Sequence, residues 1–241
     1  GDRDEWGEDP FSGVIIDGKL FGRGSSDMKS AIASFVSAAH RYILKVDEEL
    51  PGSISLLITG DEEGPAINGT TKVLDWMSNN NEVIDACIVG EPTNPDYLGQ
   101  MIKIGRRGSF TGWLTVTGVQ GHTAYPHLAE NPLSKLVKML EPLAEEQLDQ
   151  GTEYFPPTTA AISSIDTGNS ASNVIPQKVT ASFNIRFNDS RTAEDIEKWL
   201  RAHFDSVGGN YTLETACSSN AFITEPGALS DDLVSAVKAV V

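Results

Sequence analysis

Hydrophobic residues recur at helical spacing near the start of the chain, and two short apolar runs follow them. From Asp27 to about Val46 the apolar positions fall on one helix face. The runs 53–60 and 86–90 each end in glycine and are separated by a helical pattern around 70–77. This order predicts a β-α-β unit whose nearly continuous apolar strands lie in a mostly parallel sheet, with helices on both faces.

After Arg107 the pattern changes to alternating strands and amphipathic helices. Helices are predicted over about 131–147 and over 192–206, and at the start of the second Thr192 and Asp195 have capping-box spacing. The predicted strands are 109–118, 159–166, 178–187 and 211–217. The order β-α-β-β-α-β favours a ferredoxin-like α+β domain at 108–220, inserted between residues 1–107 and 221–241 of an α/β domain.

Composition narrows the classes of partner. The net charge of −16, from 34 acidic and 18 basic residues, disfavours nucleic acid and anionic membranes as partners. Cys87 and Cys217 are too few for a disulfide framework, which favours a reducing cytoplasm. No apolar run approaches the roughly 20 residues that span a bilayer, and the first residues do not resemble a signal peptide.

Carboxylates stand at three places in the first predicted unit. Asp27 precedes the first helix, the run Asp61, Glu62 and Glu63 follows the first strand, and Glu91 follows the second. Strand ends and helix starts meet at one edge of a parallel sheet, where clustered carboxylates need a cation. Asp27 as a helix N-cap and the acidic run as a solvated loop are the alternatives. Carboxylates suit magnesium, calcium or manganese, whereas zinc normally adds histidine, so the pattern does not name the metal.

A loop with the sequence GHTAYPH carries His122 and His127. The pair fits either a zinc site or, with more weight, one imidazole that donates a hydrogen bond to developing negative charge. Arg106 and Arg107 lie at the predicted domain junction, where they fit either a substrate carboxylate or surface ion pairs.

Seven segments together resemble the succinyl-diaminopimelate desuccinylases in order and spacing. They are GKLFGRGSSDMKS, LLITGDEEGPAINGT, VGEPT, IKIGRRGS, GVQGHTAYPHLAENP, SASNVIP and FNIRF. DEEG and GEPT occur throughout the larger group of dizinc deacylases and carboxypeptidases. GRRGS together with GHTAYPHLAENP narrows the resemblance to the desuccinylases.

The resemblance implies a two-zinc amide hydrolase, with Co²⁺ as an alternative metal. By motif position, Asp27 bridges the two ions, Glu91 binds one and Glu63 binds the other. Glu62 is the general base, and the peptide bond between Asp27 and Met28 is expected to be cis.

The resemblance also implies a homodimer that acts on a small molecule, N-succinyl-LL-2,6-diaminopimelate. His122 stabilises the oxyanion in the active site of the partner subunit, and residues 108–220 form the dimerisation domain. Four further residues match positions that bind the substrate's carboxylates, namely Arg106, Tyr125, Asn173 and Arg186.

Two parts of the family pattern do not occur in these residues. They are an H-x-D motif that supplies a zinc-binding histidine, and a GGTSD segment followed by a late histidine ligand. We therefore expect the chain to be an incomplete catalytic domain with an inserted dimerisation domain. Acetylornithine deacetylase activity and a catalytically inactive fragment or dimerisation module are the competing predictions.

Overall fold

The structure is a computed structural model that describes residues 3–46, 49–60, 62, 64, 66–144 and 147–241. The chain divides into two compact units. One comprises Gly1–Ile102 with Ser235–Val241, and the other comprises Lys103–Val234. None of the helices in the described ranges has the length and apolar content needed to cross a membrane.

The helices follow the predicted order, and so do the long strands of the second unit. The helices are α1 (Lys29–Lys45), α2 (Thr70–Asn79), α3 (Pro132–Leu140), α4 (Ala193–Val207) and α5 (Ala228–Lys238). The strands are β1 (Ile15–Ile16), β2 (Lys19–Leu20), β3 (Gly105–Arg106), β4 (Gly108–Thr117), β5 (Gly121–His122), β6 (Thr159–Asp166), β7 (Val174–Ile175), β8 (Lys178–Phe187), β9 (Asn210–Ser219) and β10 (Phe222–Ile223). The predicted α/β class is confirmed.

The first unit contains α1 and α2 where the helical patterns predicted them, but its two apolar runs differ from expectation. Neither 53–60 nor 86–90 forms a strand in the described residues. Their side chains stay exposed, with Ile58 at 64% and Val89 at 69%. A parallel sheet needs helices packed on both of its faces. In this structure no residue of α1 or α2 is itself buried. The predicted parallel pairing is therefore not formed here.

The second unit is the ferredoxin-like layer. Its four long strands pair antiparallel in the order β6-β8-β4-β9. This order places the first and third long strands of the unit side by side at the centre, as the β-α-β-β-α-β arrangement requires. Two short pairs, β3 with β10 and β5 with β7, complete the unit.

The core lies between one face of this sheet and the helices α3 and α4. Alternate residues of β4 and β8 point inward and are almost fully buried, as a period of two predicts. The largest are Phe110, Leu114, Phe183, Ile185 and Phe187, which pack with Leu136, Met139, Ile196, Leu200 and Phe204. The opposite face is mostly polar, and Arg186 is exposed there.

Side chains set the helix ends of this unit. Asn131 caps α3 by accepting a hydrogen bond from the Leu133 N–H at 3.0 Å. The predicted capping box of Thr192 and Asp195 is present at the start of α4. The α-helix α3 ends at Leu140, earlier than the apolar pattern predicts, because Pro142 has no N–H for a helical hydrogen bond.

Candidate active site

Asp27 lies two residues before the start of α1 and is exposed. The peptide bond between Asp27 and Met28 is cis, as the resemblance implies. The N-cap position of α1 is Met28, and no side chain caps the helix there. The alternative in which Asp27 serves as the N-cap is therefore wrong, and its carboxylate is not used for capping.

Gly90 brings the second apolar run against the start of α1. A Cβ atom on Gly90 would lie 2.7 Å from Ala31 Cβ and 2.8 Å from Phe35 Cε2, too close for any side chain. It would also lie 3.3 Å from Met28 Cε. These contacts place the next residue, the partly buried Glu91, near the start of α1, the end at which Asp27 lies.

Glu62 is exposed in the turn between the first apolar run and α2. The end of that run lies against the start of α2, where the hydroxyls of Thr59 and Thr70 are 3.5 Å apart. Asp61 and the predicted ligand Glu63 lie outside the described residues. The structure therefore places one residue of the acidic run, the predicted general base.

Asp27 and Glu91 have side chains of a type that can bind metal ions. Both residues lie near the start of α1, and carboxylate oxygens bind zinc as well as harder cations. Among the described residues, no group of three or more His, Cys, Asp or Glu is placed to hold a metal ion. Asp27 and Glu91 could supply only oxygen ligands. Such ligands do not select zinc, which normally binds imidazole or thiolate as well.

His122 lies in the second unit at the end of β5, paired with Val174 of β7. Its Nδ1 atom accepts a hydrogen bond from the backbone N–H of Ala124 at 3.0 Å. Since a backbone N–H can only donate, Nδ1 must carry a lone pair. The neutral ring then holds its proton on Nε2, which becomes a donor for negative charge. Sequence reasoning missed Ala124, because its contribution comes from the backbone.

Tyr125 and Asn173 lie beside His122. The rings of His122 and Tyr125 have centroids 5.9 Å apart, and the Tyr125 N–H donates to the His122 carbonyl at 2.9 Å. The Thr123 N–H donates to the Asn173 carbonyl at 3.0 Å, which ties the two loops together. Three predicted site residues thus share one end of the unit.

His127 follows in the same loop, with its ring centroid 6.4 Å from that of Tyr125. No third Cys, His, Asp or Glu joins His122 and His127 as a metal-binding group in the part of the chain that the structure describes. The zinc-pair interpretation of this loop therefore gains no support.

The three arginines differ in their surroundings. Arg106 is exposed on β3, opposite Phe222. Arg107 is partly buried and donates to the Pro157 carbonyl at 3.2 Å and to Thr159 Oγ1 at 3.4 Å. Arg107 thus joins two segments of the unit, while Arg106 keeps an exposed side chain.

Arg186 is exposed on β8, opposite Ser109 of β4 and Thr159 of β6. Arg186 lies at one end of β8 and Lys178 at the other. Beyond Lys178, the β5–β7 pair prolongs the ladder, and a hydrogen bond from the Gly118 N–H to the Gln177 carbonyl joins the two parts. At roughly 3.3 Å per strand residue, about 26 Å separate Lys178 from Arg186. Arg186 and His122 of one copy are therefore too far apart to contact the same small molecule.

Comparisons with known proteins agree with the sequence pattern. Residues 104–212 match the peptidase dimerisation domain family. The chain is 58% identical over 99% of its length to a succinyl-diaminopimelate desuccinylase of Rhodospirillum centenum, and it covers 62% of that protein. It is 54% identical over its full length to that of Parvibaculum lavamentivorans, covering 61%. The chain thus spans less than two thirds of these relatives.

Solved structures show the same fold at low sequence identity. An M20 family metallo-carboxypeptidase from Sulfolobus solfataricus superposes on 99% of this chain with a TM-score of 0.73 at 17% identity, and 66% of that protein is covered. Human carnosine dipeptidase 1 superposes on 100% of the chain with a TM-score of 0.55 at 17% identity, with 64% of it covered. Over nearly its whole length, the chain is thus similar to the succinyl-diaminopimelate desuccinylases.

Proposed function

We propose that the complete protein is a metal-dependent amide hydrolase that removes succinate from N-succinyl-LL-2,6-diaminopimelate. The observation that carries the proposal is the 58% identity to a desuccinylase over 99% of this chain. The products would be succinate and LL-diaminopimelate, a precursor for lysine and cell-wall synthesis. Because the chain spans 62% of that relative, the activity is assigned to the complete protein.

Glu62 acts as the general base in this proposal. Its exposed carboxylate takes a proton from the water that attacks the amide carbonyl and delivers it to the leaving amine as the C–N bond breaks. Asp27 and Glu91, together with Glu63, would hold two zinc ions, or cobalt in their place. When bound, such ions lower the pKa of the attacking water and polarise the carbonyl.

His122 stabilises the oxyanion of the tetrahedral intermediate through its Nε2–H group. The Ala124 N–H occupies Nδ1, so the neutral ring presents its donor at the other nitrogen without rearrangement. Tyr125 and Asn173 lie beside it and would contact the substrate's polar groups.

Arg106 and Arg186 would hold substrate carboxylates. Both side chains are exposed, and guanidinium groups bind carboxylates through paired hydrogen bonds. A protein with a net charge of −16 needs such local cations to receive a polyanionic substrate.

The proposed enzyme is a homodimer with shared active sites, and the separation along β8 supports this arrangement. His122 and Arg186 lie at opposite ends of that strand, so both contact one substrate only if they come from different copies. In this proposal residues 108–220 serve dimerisation, and residues 1–107 with 221–241 serve catalysis. The net charge of −16 and the two cysteines favour a cytoplasmic enzyme without nucleic-acid or membrane partners.

A substrate panel tests the proposed activity. The complete enzyme, loaded with zinc, should turn over N-succinyl-LL-2,6-diaminopimelate with a higher kcat/KM than N-acetylornithine. Faster turnover of acetylornithine would assign the protein to the deacetylases. No turnover of either compound by metal-loaded protein would favour the inactive alternative.

A further inference from the structure

Asn169 closes the loop that leads from β6 to Asn173. Its Oδ1 atom accepts a hydrogen bond from the Ala171 N–H at 3.0 Å. Its Nδ2 atom donates to the Ala171 carbonyl at 3.2 Å and to the Val174 carbonyl at 2.9 Å. Two carbonyls and one N–H allow only one orientation of the amide, so all its partners are satisfied together.

The same hydrogen bonds support the His122 end of the site. His122 faces Val174 in the short ladder, and the bond from the Thr123 N–H to the Asn173 carbonyl makes them a non-hydrogen-bonded pair. The Val174 carbonyl therefore points away from β5, towards Asn169. Strand β7 is thus held by β5 on one side and by the Asn169 side chain on the other.

We propose that Asn169 is a positioning residue that presents Asn173 beside His122. The proposal rests on the proposed function, in which Asn173 contacts the substrate. Without the amide of Asn169, the Ala171 and Val174 carbonyls lose a donor and the loop retains fewer ties to β7. A misplaced contact of this kind costs activity without any change at the reacting atoms.

Three variants of the complete enzyme test this role. Asn169→Ala removes all three bonds, and Asn169→Asp keeps the acceptor but sets a carboxylate against two carbonyls. We expect both to lower kcat/KM by roughly 10- to 100-fold, mainly through KM, with Tm nearly unchanged. Ser170→Ala, in the same exposed loop, is the matched control and should behave as wild type.

A double variant and an exchange measurement make the outcome decisive. In an Asn173→Ala background, adding Asn169→Ala should change kcat/KM by less than about twofold, because both act through one contact. A full additive loss would overturn the positioning role.

If wild type lacks desuccinylase activity, the proposed function fails, and amide exchange at Thr123 still tests the loop. Exchange should be at least about 10-fold faster in Asn169→Ala than in Ser170→Ala, and equal rates would refute the proposal.

Discussion

The Nδ1 atom of His122 accepts a hydrogen bond of 3.0 Å from the backbone N–H of Ala124. The bond fixes which ring nitrogen is protonated when the imidazole is neutral. In ¹⁵N NMR spectra recorded well above neutral pH, His122 should show a protonated Nε2 and an unprotonated Nδ1. His127 of the same loop is the control, and a mixture of tautomers is expected there. A protonated Nδ1 at His122 would exclude the proposed oxyanion donor.

Glu62 is predicted to act in proton transfer and not in metal binding. Glu62→Ala in the complete enzyme should retain its metal ions but lower kcat by about 10³-fold or more, since only the general base is removed. Metal content by elemental analysis and turnover by succinate release are the two measurements. Loss of metal together with activity would instead make Glu62 a ligand.

Gly90 is predicted to set the position of Glu91 against α1. Gly90→Ala places a methyl group within 2.7 Å of Ala31 Cβ, so the backbone before Glu91 must move. We expect zinc affinity to fall by roughly 10- to 100-fold in a direct titration of the complete enzyme.

Gly60 provides the matched control for that substitution. It ends the first apolar run as Gly90 ends the second, but a Cβ atom there would meet no atom of the described residues within 4 Å. Gly60→Ala should leave zinc affinity unchanged. Equal affinities in the two variants would show that the Gly90 contact does not position a ligand.

Asp149 stabilises the second unit through a carboxylate that accepts three hydrogen bonds. Its Oδ1 atom accepts from the Gly151 N–H, the Thr158 N–H and the Asn188 amide at 2.9–3.0 Å. Burial raises the pKa of Asp149, but the hydrogen bonds from Thr158, Gly151 and Asn188 outweigh it and hold the pKa below its usual value. Asp149→Asn should therefore lower the free energy of unfolding by about 1–3 kcal/mol near neutral pH.

The lowered pKa of Asp149 also determines how the stability difference between wild type and Asp149→Asn changes with pH. A depressed pKa contributes stability above the unfolded value of about 3.9, and the contribution is lost as pH falls through the folded value. Urea unfolding of wild type and Asp149→Asn should thus converge in acid. Asp189→Asn, at an exposed aspartate, is the control and should match wild type near neutral pH. A gap that widens in acid would contradict the account.

The fold of the second unit was predictable because its sequence signals are local and agree with one another. The alternation in β4 and β8 marked their buried faces, and Thr192 with Asp195 marked the start of α4. In the first unit, the apolar runs 53–60 and 86–90 predicted buried strands. Burial of a parallel sheet depends on the strands and helices that pack beside it, and the periodicity of one segment does not specify them. Their side chains remain exposed in this structure.

The sequence predicted which residues belong to the candidate site, but only some of the contacts between them. The loop motif identified His122 and Tyr125, and the structure brings them together with Asn173. The contributions of Ala124 and Asn169 were missed because both depend on hydrogen bonds to or from the backbone. The separation of His122 from Arg186 appears only when the register of β8 is known.

In the proposed desuccinylase dimer, the two ends of β8 serve two different active sites. In the complete enzyme, His122→Ala should lower kcat by about 10²-fold or more with metal content and dimerisation intact. Arg186→Ala should also be impaired, through weaker substrate binding. As a control, mixing His122→Ala with Asn173→Ala should restore nothing, because both residues lie at the same end of the unit.

Mixing His122→Ala with Arg186→Ala after subunit exchange tests the claim most directly. Each mixed dimer would contain one intact active site, so succinate release at low substrate concentration should recover to about a quarter of the wild-type rate. Recovery at that level is the result that the account predicts. Mixed dimers that form but remain as inactive as the parent variants would contradict it.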